Sequence, residues 1–372
     1  MTDIVIDKAG PKDNLGICEL CKIPMTGNIS LSIGVDPDCF TNAGIQNEII
    51  ELFVCRKESR IIGLFSVGKS TVYYDGKPSL VRYLSDLRIS PDFQKSLLLI
   101  QITRYIKTHV IADNEFAFAV VFSENKIMTD MIAKVDQASV NNGALLKKAS
   151  LPKFNLRGNY CSYMISLDNY RTISKSELLI RRAKTSDVGD MQIFFNREAS
   201  KKQLYPSYDF SHLHHKYYHG LSISDFYLAI EDGLIVGITG IWDQRGFKQT
   251  SVSGYSQYLK FARPLINILA SISKGFNLPK AGEALNYFTL HTVLTKNNNP
   301  KIFRAIIEHI YKDYYRKEFR YFLCGLDKND ALSTIFSDFK KREVHGNLYS
   351  VSFDYSRKTL MIPNFYVEAA RI

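Results

Sequence analysis

The chain has 372 residues, too many for one typical domain and comfortable for two. Hydrophobic residues make up 45% and charged residues 23%, which excludes a largely disordered chain, and no apolar run is long enough to span a bilayer. The net charge is +11: residues 1–172 carry 20 basic and 18 acidic side chains, the remainder 28 and 19.

In chain order, residues 3–8 read as a strand. Asp13 to Lys22 follows with helical spacing of Leu15, Ile17, Cys18 and Cys21. Cys18 and Cys21 form a lone C-x-x-C without a second pair, so they read as small buried helix residues and not as metal ligands. Segments 49–57 and 60–67 form a hairpin, and Asp75-Gly76 turns the next one. Residues 79–89 make a long strand, 96–111 an apolar helix and 116–122 a buried strand. Asn125 opens another helix, and 159–168 closes the set as a strand. Strands are then expected at 178–183, 226–232, 234–242, 247–255, 284–293, 319–325 and 347–354. The tail 361–372 is expected to add a strand or lie along the surface. This order is α+β with a mixed sheet, not a doubly wound nucleotide fold.

The second series repeats the first. Ile6-x-x-Ala9-x-x-x-Asp13 returns as Ile180-x-x-Ala183-x-x-x-Asp187, and Leu52 to Gly63 lies over Phe226 to Gly237. Phe118 to Asn125 matches Phe322 to Asn329 at a larger offset, which requires an insertion near 243–283. Two tandem domains are expected, 1–172 and 173–372, meeting in the polar stretch 169–176.

This doubled order resembles the GNAT superfamily of acyl-CoA-dependent N-acetyltransferases. The segment Tyr83-Leu84-Ser85-Asp86-Leu87-Arg88-Ile89-Ser90-Pro91 looks like the family's fourth strand and the start of its cofactor loop. Asn125 resembles the Asn often found after the fifth strand. Trp242 to Gln249 resembles a hairpin of uncharacterised bacterial tandem members. The resemblance implies two GNAT-like domains, each a mixed, mostly antiparallel twisted sheet flanked by helices. It implies acetyl-CoA or another acyl-CoA as cosubstrate, contacted by Leu87, Ile89, Gln94, Lys95, Ser96, Leu97 and Asn125. A helix N-terminus with its unpaired N–H groups suits the cofactor's pyrophosphate. Gln94 fits the family's loop, Gln/Arg-x-x-Gly-x-Gly/Ala, but leucines stand at the glycine positions. The second loop, Thr295 to Lys301, also lacks glycine.

Attack of a neutral amine on a thioester needs a base, and hydrogen-bond donors at the carbonyl. Asp86 and Glu124 are the catalytic candidates implied by the resemblance. Asp86 could instead pair with Arg82 or Arg88, and Asn125 could simply cap its helix. The family's usual Tyr acid is missing after Asn125. His291 takes the fourth-strand position of the second half, where a histidine is more often a packed, hydrogen-bonded residue. In His212-Leu-His-His-Lys-Tyr-Tyr-His219, His215 and His219 are spaced to share a helix face, with Asp209 nearby. The resemblance implies that this region lines the acceptor site, which is favoured over a metal site, and no metal is expected.

The expected function is N-acyl transfer from acyl-CoA to a small-molecule or peptide amine; the alternative is a non-catalytic GNAT-fold binding protein. Basic residues interleaved with acids, as in Lys312 to Glu318, imply no specific nucleic-acid partner. The start of the chain lacks signal-peptide features, so a cytoplasmic protein with reduced cysteines and no membrane partner is expected.

Overall fold

The computed structural model describes residues 4–25, 29–94, 96–111, 116–149, 151–168, 177–273, 277–354 and 361–372. Asp75 and Gly76 both take left-handed backbone (φ 50° and 75°), the geometry a two-residue hairpin turn demands. They join β4 (Arg60–Tyr74) to β5 (Lys77–Ile89), the longest hairpin in the chain. β1 (Ile4–Lys8) and β3 (Ile49–Lys57) extend the sheet on the other side of β4. Between them come α1 (Asn14–Lys22), β2 (Ile29–Gly34) and α2 (Cys39–Gln46). After β5 follow α3 (Leu98–His109), β6 (Ala117–Phe122), α4 (Lys126–Ala149) and β7 (Lys153–Ser166).

A second series follows that shares much of this order, although a 3-10 segment, Ala331–Asp338, and not an α-helix joins its last two strands. It consists of β8 (Leu179–Arg182), α5 (Val188–Ala199), the short β9 (Tyr205–Pro206), β10 (Phe226–Glu231) and β11 (Leu234–Trp242). β13 (Tyr287–Thr295), α7 (Pro300–Tyr314), β14 (Tyr321–Asp327) and β15 (Lys341–Ser352) complete it. β4 leads straight to β5, but β11 and β13 are separated by β12 (Gln249–Tyr255) and α6 (Gln257–Ser273). β12 pairs with β2 in a separate two-stranded sheet, so this segment bridges to the N-terminal half.

All the other strands join one sheet in the order β1-β3-β4-β5-β6-β15-β7-β14-β13-β11-β10-β8, with β9 on β4. β5–β6 and β13–β14 are parallel and the remaining pairs antiparallel. The architecture is therefore α+β with a mixed, mostly antiparallel sheet. Its centre is an exchange. The last strand of the first series, β7, pairs with β14, and the last strand of the second, β15, pairs with β6; β7 and β15 also pair with each other. Cys161, Tyr163 and Ile165 of β7 accordingly lie in the core of the second half, beside Phe322 and Phe336.

Several expectations are corrected. β7 and β15 begin six residues earlier than their apolar runs, because polar residues such as Asn155 and Arg157 pair inside the sheet. The tail adds no strand and lies at the surface only in its first part: from Phe365 onward it turns inward, and Phe365, Tyr366, Glu368, Ala370 and Arg371 are buried. Residues 210–225 form three short 3-10 turns, so His215 and His219 share no α-helix face. The expected boundary, 169–176, lies outside the described residues.

Candidate active site

β5 and β6 share a single register pair, Tyr83 with Phe118, and then part. β13 and β14 share three, from Tyr287–Tyr321 to Thr289–Leu323, and part likewise. Just past each parting, the central strand bulges. Asp86 and Leu87 together oppose one residue of β4, and Thr292 and Val293 oppose one residue of β11. Asp86 and Thr292 both take positive φ (54° and 53°), uncommon for non-glycine residues and an outlier for a β-branched one. The two halves thus carry the same device, with a carboxylate in the first and a hydroxyl in the second.

The surroundings differ. Every residue of β5 from Val81 to Ile89 is half-exposed, whereas β13 is buried from Phe288 to Thr295. The tail fills the second parting. Glu368 accepts hydrogen bonds from the Thr292 N–H (3.0 Å) and the Tyr366 hydroxyl (3.1 Å). Burial pushes its carboxyl above the usual range. Gly325 on β14 leaves room for the tail, since a Cβ there would stand 2.8 Å from Ala369 Cβ. Arg371 lies over the Tyr217 ring (3.5 Å to its centroid) and donates to the Tyr217 carbonyl and the Tyr208 hydroxyl. His291 is wholly buried, with Nδ1 at 2.9 Å from Thr292 Oγ1 and 3.2 Å from the Tyr208 hydroxyl. Burial, then the charge of Arg371, holds its imidazole neutral well below the ordinary value. His291 is a packed residue.

Around Asp86 the groups are polar and small. Ser66 Oγ donates to one carboxylate oxygen (2.9 Å) and Gln46 Nε2 to the other (3.3 Å), and Ser85 Oγ lies 2.7 Å from Ser66 Oγ. Arg88 turns instead to the Ile23 carbonyl (3.4 Å). Lys248 feels the Asp86 charge; burial lowers its ammonium below the usual value, and its Nζ donates to the Ile372 carbonyl. Leu87 and Ile89 pack beside the cluster of Leu98, Ile102 and Ile106 on α3.

The loop after β5 makes one 3-10 turn, Pro91–Phe93, before α3. Gln94 turns its amide to the Ile89 carbonyl (3.3 Å). The Ser96 N–H bonds the Phe93 carbonyl (3.0 Å), and Ser96 Oγ accepts the Leu98 N–H (3.2 Å). Leu97 is exposed, and Lys95 lies outside the described residues. Glu124 is exposed in the turn after β6. Asn125 caps α4, its Oδ1 accepting the Met128 N–H at 3.2 Å. At about 3.3 Å per strand residue, Asp86 sits roughly 10 Å beyond Tyr83 along β5, whereas Glu124 lies past the end of β6 at Phe122.

In the second half, Asn297 and Asn298 both take positive φ. The Asn297 N–H donates to Glu198 (3.1 Å) and the Asn298 amide to Asp330 (2.8 Å), which Lys202 also pairs at 2.7 Å. A cavity of about 750 Å³ opens beside this loop, lined by Lys296, Lys301 and Arg304 as well as Glu231. It lies on the asparagine loop and not on the Asp86 bulge. Of the histidines, His212 pairs with Asp209 (2.6 Å), His215 accepts the Tyr217 N–H, and His219 packs on Phe247. Among the described residues, the group with metal-ligand chemistry is Cys161, Glu343 and His345, elsewhere on β7 and β15.

Gln46, Ser66 and Ser85 escaped the sequence reading because nothing in their spacing points to Asp86. The positions of Glu368 and Arg371 were equally hidden, although an acid and a base near the end of an apolar tail were a usable signal.

No protein-family model and no curated protein matches the chain. Solved structures do. N-myristoyltransferase of Saccharomyces cerevisiae with bound myristoyl-CoA superposes with a TM-score of 0.57 at 12% identity, over 98% of this chain and 83% of its own. The GCN5-related glucosamine N-acetyltransferase region of a fungal multi-domain GH3 β-N-acetylglucosaminidase gives 0.56 at 10% identity over 94% of this chain, which spans 38% of that protein. A GCN5-related N-acetyltransferase from Sphaerobacter thermophilus gives 0.53 at 10% identity, over 96% and 97% of the two chains. At such identities the likeness establishes the fold alone: this chain has the fold of the GCN5-related N-acetyltransferases.

Proposed function

We propose that the chain is an acyl-CoA-dependent N-acyltransferase acting on a small-molecule or peptide amine. In this reading it consists of two tandem units, 1–172 and 173–372, the second enlarged near 243–283, and the working cleft is in the first. The supporting observation is the contrast between the two bulges. β5 stays half-exposed beside its parting, while the Thr292 N–H at the equivalent place already binds Glu368. An acyl-CoA between β5 and β6 would run along the backbone of Leu87 and Ile89, with its pyrophosphate at the turn of Gln94, Lys95, Ser96 and Leu97. Asp86 takes the proton of the attacking amine, strand N–H groups polarise the thioester carbonyl, the C–N bond forms, the C–S bond breaks, and the CoA thiolate leaves after taking up the proton that Asp86 received. Glu124 and Asn125 border the far lip.

Calorimetric titration with acetyl-CoA and longer acyl-CoAs tests this; the myristoyl-CoA of the yeast neighbour makes the long chains worth including. Binding at one site is expected, weakened about tenfold or more in Lys95→Glu and unchanged in Lys301→Glu. The reverse pattern would put the cofactor at the asparagine loop, and no binding by the parent protein overturns the reading. A non-catalytic ligand-binding role is favoured by one observation: the Ser96 and Leu98 N–H groups are already bonded within the loop. Tight acyl-CoA binding without thiol release on a panel of amines would decide for that role.

A further inference from the structure

α6 is apolar on both sides. Its inner face, through Leu259, packs on the cluster of Ile29, Val252 and Leu285 over the β2–β12 sheet. Its outer face carries Tyr258, Phe261, Leu265, Ile268 and Leu269, all exposed, the two aromatics at 80% and 83%. At about 100° per residue these five fall within an arc of roughly 100°. A helix already docked by one face has no packing need for this second stripe, and isolated exposed apolar residues do not line up in this way.

The charge around the stripe is one-sided. Residues 249–282 contain four Lys or Arg and no Asp or Glu. Lys260 and Lys280 are exposed, and the Arg263 guanidinium is held by the carbonyls of Leu278 and Pro279 without an acid. The next acid, Glu283, is paired with Arg320. A second copy of the chain seated on this face by a two-fold would bring like charges together. Seventeen residues interrupted by Lys260, Arg263 and Pro264 are too short and too charged to span a bilayer, and no described helix does.

We propose that the outer face of α6 seats on an anionic lipid surface, the helix lying in the plane of the interface with Tyr258, Phe261 and Leu265 inserted and the basic residues at the headgroups. This surface contact departs from the expectation of no membrane partner and is independent of the acyl-transfer reading.

Flotation of the full chain with phosphatidylcholine vesicles containing about 30 mol% phosphatidylserine tests the proposal. The protein is expected to float with these vesicles and to bind at least about tenfold more weakly to pure phosphatidylcholine. Phe261→Glu with Leu265→Glu should abolish flotation with unchanged thermal unfolding, because both side chains are exposed. Lys260→Glu with Lys280→Glu, which leaves the apolar face intact, should weaken it about tenfold or more. Failure of the parent protein to float, equal binding to neutral vesicles, or undiminished flotation of both variants would overturn the proposal. So would a dimer in light scattering that the Phe261/Leu265 variant converts to monomer, since a second copy would then cover the face.

Discussion

Gly240 of β11 faces His291 of β13, and the imidazole occupies the space a side chain would need. A Cβ on Gly240 would stand 2.2 Å from His291 Nε2. The ring cannot give way, because Tyr208, Phe226 and Trp242 enclose it. Gly240→Ala should therefore cost about 3 kcal/mol in urea denaturation, and His291→Ala should recover part of that loss in the double variant. The repeated aspartates argue similarly for structure. Asp13 accepts the Gly10 N–H and pairs with Arg56; Asp187 accepts the Lys184 N–H and pairs with Arg181. The Arg56 hydrogen bond is the main cause that holds the Asp13 carboxyl below its usual range. A lowered folded-state value means stability that is present above the unfolded value, near pH 4, and lost as pH falls through the folded one. Asp13→Asn should cost about 2 kcal/mol near pH 7, and progressively less as pH falls below about 4. An equal cost throughout would remove the ion pair from the account.

At the scale of elements, the exchange of β7 and β15 decides what can fold alone. A fragment ending at residue 168 retains β7 but loses both of its neighbours, β14 and β15, and β6 loses β15. Unpaired strand edges of this length invite association. Residues 1–168 expressed alone should be insoluble or oligomeric, whereas co-expression with residues 169–372 should yield a soluble one-to-one complex; a monomeric, cooperatively folded 1–168 would contradict this. Much of the fold was legible: β3, β10 and β11 fall on their expected segments, because hairpins such as Lys57–Arg60 and Glu231–Leu234 are local. The pairing of β6 with β15 was not, because its partners are more than 220 residues apart and nothing in either strand's alternation names the other. β2 and α6 escaped because they pair with, or pack on, β12 and not on the main sheet. At the site, Asp86 was named through the resemblance of its strand; the bulge that turns it, shared with Thr292, shows only in the backbone.

For the molecule as a whole, one sheet running through both halves predicts that they unfold as a single cooperative unit. The largest core cluster takes in Ile45 and Tyr73 of the first half along with β7, and Arg371 near the chain's end donates to the Ile45 carbonyl. Opening either half alone would unpair strands in the other and expose buried tyrosines, so partial unfolding forfeits apolar burial without releasing a self-sufficient remainder. The single tryptophan, Trp242, is buried in β11 and reports on the second half. Cys55, also fully buried, lies in β3 of the first half. With increasing urea, the fluorescence shift of Trp242 and the onset of Cys55 labelling by a thiol reagent should share one midpoint, which far-UV circular dichroism should match. Removing the tail from residue 361 onward should lower both midpoints together, because its residues line the second parting while Arg371 clamps α2. Midpoints that separate, with Cys55 reacting while Trp242 stays buried, would show that the strand exchange couples the halves less than the continuous sheet requires.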